Sequence, residues 1–136
     1  MKQILLLAVA LLAVTISKAA DEWKLYYQNE SIAIYYAYSD CHDAANGLHQ
    51  QKIFYRLVNK TDKSIELSFT KELSYTNSKP IISDGLNKVV LTKGQQVEGD
   101  CSTRNNALYT FVKQLDIKGR ELVKCELKNI TVKPIE

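Results

Sequence analysis

The sequence predicts a mainly β protein, an immunoglobulin-like two-sheet sandwich of about seven strands with one short helix before the last strand. Three observations predict it. Apolar and polar residues alternate with a period of two along most of the chain, and the alternating side chains are rich in β-branched and aromatic types. Polar turn signals separate these runs at short intervals. The chain has 136 residues, without repeats, low-complexity tracts or interdomain linkers, so one domain is expected. A small barrel is the alternative packing of the same strands.

In chain order, the first segment reads as an export signal rather than as part of that domain. Met1, Lys2 and Gln3 are followed by an unbroken apolar run from Ile4 to Val14. Such a run is too short for a bilayer, which takes ~20 residues, but it suits a signal h-region. Small residues at Ser17 and Ala19 place the cleavage after Ala19, with Ala20 as the alternative, so residues 1–19 are the signal and 20–136 the domain. No cysteine follows the run at the place lipid attachment needs, so no stable membrane anchor is expected once the signal is gone. The precursor carries 18 basic and 15 acidic side chains. Lys2 and Lys18 leave with the signal, and a remainder of about +1 gives no electrostatic reason to expect nucleic acid or an acidic membrane as partner.

The domain then reads as strands. Trp23 to Gln28 is a short one ending at Asn29 and Glu30. Between Ser31 and Ser39, Ile32, Ile34, Tyr36 and Tyr38 point one way while Ala33, Tyr35 and Ala37 point the other. Gln50 to Asn59 follows, with Ile53, Tyr55 and Leu57 opposed to Phe54, Arg56 and Val58. The polar stretch Asn59 to Ser64 leads into Ile65, Leu67 and Phe69, a pattern that predicts a hairpin. Residues 76–87 are turn-rich, and two short strands, Lys88 to Thr92 and Gln95 to Gly99, flank Lys93-Gly94. Ala107, Leu108, Phe111, Val112 and Leu115 fall at helical spacing, with Ser102 or Thr103 to cap the start and Gly119 beyond the end, which predicts the short helix around 103–116. Glu121 to Val132 is the last strand, and its alternation shifts phase near Asn129, which predicts a bulge.

Three cysteines remain after cleavage. Cys41 and Cys101 each follow a predicted strand and open a polar loop, after Ser39-Asp40 and Gly99-Asp100, whereas Cys125 sits inside an alternating strand. Two loop-edge cysteines meet more readily, so a Cys41–Cys101 disulfide is expected in an oxidising compartment, with Cys125 left as a buried, inert free thiol. A Cys101–Cys125 bridge is the competing pairing.

The densest polar cluster is Asp40-Cys41-His42-Asp43 with Asn46, Gly47 and His49, to which the bridge would bring Asp100. Asp40, His42, Asp43, His49 and Asp100 are the candidate metal ligands, for zinc through imidazole or calcium through oxygens. The spacing matches no zinc or EF-hand pattern, so the leading reading is a solvated turn in which Asp40, Asp43 and Asn46 bond their own backbone and Gly47 supplies a positive φ; neither a metal nor another cofactor is expected. The sequence holds no Gly-rich phosphate loop, Gly-x-Ser-x-Gly elbow or His-Glu-x-x-His, so no catalytic residue is assigned. Eight tyrosines are spread through it; Tyr35 and Tyr36 fall on opposite faces of one strand, and an exposed tyrosine can anchor a protein or glycan.

The runs Tyr38-Ser39-Asp40-Cys41-His42-Asp43 with Asn46-Gly47, Glu98-Gly99-Asp100-Cys101 and Glu126-Leu127-Lys128-Asn129-Ile130 resemble small exported β-sandwich proteins of Bacteroidota. The resemblance implies a bacterial, periplasmic or secreted setting, in which the Asn-x-Ser/Thr triplets at Asn29, Asn59 and Asn129 would be silent. It brings no activity and no catalytic residues. The expectation is therefore a monomeric, non-catalytic binding or structural module with a protein or glycan partner. A metal-binding protein or metal-dependent hydrolase built on residues 40–49, and an inhibitor of a secreted enzyme, are the alternatives.

Overall fold

A computed structural model describes residues 22–79, 81–82 and 85–135. The signal segment and its cleavage point after Ala19 lie outside the described residues. Nine strands are described: β1 Lys24–Gln28, β2 Ile32–Asp43, β3 Leu48–Asn59, β4 Ile65–Tyr75, β5 Ile81–Ile82, β6 Asn87–Leu91, β7 Gln96–Glu98, β8 Tyr109–Gln114 and β9 Leu122–Pro134. They form two sheets packed face to face, the predicted sandwich. In the first sheet, β1, β2 and β3 make an antiparallel meander, and β7 and β8 share the far side of β3. In the second, β4 is central, with β9 along one side and β5 and β6 on the other.

The core lies between the inner faces. The first sheet contributes Ile32, Ile34, Ile53, Tyr55 and Leu57, and the second Ile65, Leu67, Phe69, Val89, Leu91 and Leu127. Burying each such side chain contributes roughly 1.5–3 kcal/mol, and period-two spacing is what brings them to one face. Among the described residues no helix is long and apolar enough to cross a membrane.

The predicted helix around 103–116 is not formed. Asn105 caps a single 3-10 turn, Asn106–Leu108, by accepting from the N–H of Ala107 at 3.0 Å. The chain then becomes β8, paired with Gln50 to Phe54 of β3. Ala107, Thr110 and Val112 are buried: strand alternation turns Thr110 and Val112 inward and leaves Phe111 half-buried on the other face, which splits the apolar set that a helix would have kept together. Tyr-Thr-Phe-Val is a β-forming run, and the edge of β3 beyond β7 offers it a ladder.

The predicted hairpin of residues 50–59 with 65–70 is also corrected. β3 and β4 belong to different sheets, so residues 60–64 cross the sandwich rather than close a hairpin. Residues 92–95 make the same kind of crossing between β6 and β7. The bulge near Asn129 is present, as a register shift opposite Ser68–Thr70 with Asn129 at φ 55°.

Candidate functional site

The polar cluster of residues 40–49 forms the tip of the β2–β3 hairpin. Strand pairing continues to Asp43 opposite Leu48, further than the loop reading expected. Cys41 is disulfide-bonded to Cys101 with Cα atoms 5.5 Å apart, tying this tip to the turn after β7. Asp43 caps the 3-10 turn Ala44–Asn46, accepting from the Asn46 amide group at 2.7 Å and its backbone N–H at 3.3 Å. Gly47 leaves the turn at φ 63°.

The five candidate ligands do not converge. Asp100 accepts from the hydroxyl and N–H of Ser102 at 2.6 and 2.8 Å and so holds its own turn. The Asn46 bond to Asp43 and the Ser102 bond to Asp100 hold both carboxyls below the ordinary carboxylate range. The Asp40 carboxylate accepts a long bond from Gln51, 3.4 Å. His42 and His49 do meet, directly opposite in register with ring centroids 3.6 Å apart. Asp116, from the loop after β8, reaches His49 Nδ1 at 2.7 Å. No spacing rule linked Asp116 to residues 67 positions earlier in the chain. Among the described residues no three or more His, Cys, Asp and Glu side chains form a metal-ligand group.

A second place was not legible in the sequence. On β2 the inward row Ile32, Ile34, Tyr36, Tyr38 runs from full burial at the isoleucines to half exposure at Tyr38, because it passes beyond the cover of the second sheet. Tyr55 and Ile53 of β3 lie on the same face, opposite Tyr36 and Tyr38. Leu122, Val123, Lys124, Cys125 and Leu127 of β9 form the other wall of the resulting cleft, whose volume is about 210 Å³.

Tyr26 shuts one end of this cleft. It is the extra residue in the β1 bulge, where the register with β2 passes from Leu25 to Tyr27. A bulge re-aims a side chain, and here the Tyr26 hydroxyl accepts from the N–H of Leu127 at 2.9 Å and donates to its carbonyl at 3.3 Å. The peptide group of Leu127 therefore faces away from β4, toward the open side of β9. Orientation alternates along an antiparallel strand. Cys125, two residues earlier and in regular register opposite Leu73, by the same alternation turns its N–H and C=O to the open side of β9, and it lines the cleft. The rings of Tyr26, Tyr36 and Tyr38 stand edge to face along the other wall, at interplanar angles of 86° and 77°.

Cys125 is the free thiol, as expected, but it is half-buried and lines the cleft rather than lying sealed in the core. Its sulfur is 3.2 Å from the Tyr55 hydroxyl, which also bonds Thr110 at 2.8 Å. Burial pushes the Tyr55 phenol well above its ordinary value, and the adjacent thiol adds to the shift. Lys71 is buried on the inner face of β4, where its ammonium group donates to the carbonyls of Asn106 and Tyr109. It pins the 3-10 turn before β8 to the core. Comparison with protein-family models, with curated proteins and with solved structures finds no match.

Proposed function

We propose that this protein is an exported, non-catalytic binding module that takes a short extended peptide into the tyrosine-lined cleft between β2 and β9. One observation carries the reading. Cys125 lines an aromatic cleft at the open side of β9, two residues from Leu127, whose N–H and carbonyl a tyrosine hydroxyl already pairs. An extended peptide supplies a donor and an acceptor at the same two-residue repeat, and its side chain would lie on the tyrosine rings. A glycan would offer hydroxyls without that repeat. Export is supported by the disulfide, which suits an oxidising compartment, and by the signal-like start of the sequence. The non-catalytic reading is supported by the engagement of Asp43 and Asp100 in turn hydrogen bonds.

Screening the protein against a library of extended hexapeptides and a glycan array tests this. Peptides with one aromatic or large aliphatic side chain are expected to bind, and Tyr38→Ser is expected to weaken them at least tenfold. Binding confined to glycans, or peptide binding untouched by Tyr38→Ser and Val123→Glu together, would overturn it.

A further inference from the structure

We propose that His42 and His49 form a two-imidazole site for a borderline divalent transition ion, with cupric ion preferred over nickel or zinc. The site lies at the hairpin tip and is separate from the tyrosine cleft. Antiparallel register sets the two residues directly opposite each other, and their rings are 3.6 Å apart between centroids. Two imidazole nitrogens bound side by side to one ion, each about 2.0–2.1 Å from it, lie roughly 3 Å from each other. The two rings are tilted by 36° rather than parallel, and rotation about the side-chain torsions would bring one nitrogen of each to that spacing.

The surroundings fix the pair. The Cys41–Cys101 disulfide lies one residue before His42, and Asp43, the cap of the 3-10 turn, lies one residue after it. The N–H of Leu115 donates to the carbonyl of His49 at 2.9 Å, which holds the β8 exit, and Asp116 with it, against this strand. Asp116 Oδ1, 2.7 Å from Nδ1 of His49, accepts the proton on that nitrogen and leaves Nε2 as the ligating atom. Carboxylate, histidine and metal in this order is the arrangement that orients a ligating imidazole and raises its basicity. Asp40, Asp43 and Asp100 take no part, so water fills the other positions. Imidazole donors in an open site rank the ions by intrinsic affinity, and cupric ion stands highest.

Titration of the untagged chain with cupric chloride at neutral pH, followed by electron paramagnetic resonance, tests the site. One ion per chain with two equatorial imidazole nitrogens is expected. His42→Ala should lower affinity at least tenfold and leave one imidazole nitrogen. Asp116→Asn should weaken binding about tenfold while keeping both nitrogens. A His42→Ala/His49→Ala chain, confirmed folded by its thermal unfolding, reports binding at the chain terminus and elsewhere. Equal affinity and an unchanged spectrum in that double variant would overturn the proposal, as would copper uptake by the parent chain no greater than by the double variant.

Discussion

Asn59 ends β3 with its side chain 1% exposed. Its amide nitrogen donates to the carbonyls of Lys63, Leu91 and Thr92 at 2.7, 3.3 and 2.9 Å. Its oxygen accepts from the N–H and hydroxyl of Thr61 at 2.9 and 2.7 Å. One side chain thus satisfies the crossing after β3 and the end of β6 together, where water is excluded. Asn59→Ala would leave several of these groups unpaired, each costing about 1–3 kcal/mol. A stability loss of about 3 kcal/mol is expected in urea unfolding, and a loss below 1 kcal/mol would contradict the assigned role. The sequence marked Asn59 as the start of a polar turn and as part of a glycosylation triplet, but not as a buried hub. A local polar run looks the same whether its first residue faces water or a neighbouring strand. Tyr26 was illegible for a related reason. Its role depends on a bulge in β1 that brings it to Leu127, 101 residues away.

At the scale of elements, alternation located the strands, and tertiary context decided their partners. Ile32 and Ile34, and Ile53, Tyr55 and Leu57, face inward as their spacing indicates. The polar stretch 60–64 is compatible with a hairpin turn or with a crossing, and only the competing pairings of β3 with β7 and β8 decide between them. Residues 107–115 are not a helix because the strand pairing of Tyr109–Gln114 with β3 buries Thr110 and Val112 on one face and places Phe111 on the other, and only Ala107 and Val112 of the helical set are buried. Gly99 shows how closely that segment packs. A Cβ there would run into the carbonyl oxygen of Leu108 and lie 3.0 Å from the Phe54 ring, a close approach that only glycine permits. The disulfide joins elements 60 residues apart, and closing a loop of that size contributes about 4 kcal/mol in the chain-entropy model. Urea unfolding with and without reductant should show a difference of that order. Coincident midpoints would mean that the tip of the β2–β3 hairpin opens freely before the core.

At the scale of the whole molecule, the sandwich leaves β1 and β9 as edges on the same side. Exposed edges invite pairing with other chains. Here the Tyr26 hydroxyl occupies the Leu127 peptide group, and register shifts fall beside Ser74–Tyr75 and at Asn129. The regular open edge is reduced to a short run around Cys125. That run is too short for another sheet but long enough for a peptide segment, and the tyrosine wall lies beside it. On the same strand Lys124 and Lys128 are held around Glu72, 3.7 and 2.7 Å away. Periodicity predicted two layers with a small barrel as the alternative; where one layer overhangs the other depends on sheet register, which alternation does not encode.

Residue-resolved amide hydrogen exchange along β9 tests the open edge most directly. The N–H of Leu127 should be protected and lose that protection in Tyr26→Phe, while the N–H of Cys125 exchanges fast until a peptide occupies the cleft. Equal, strong protection of Cys125 and Leu127 in the free protein, unaltered in Tyr26→Phe, would contradict the account.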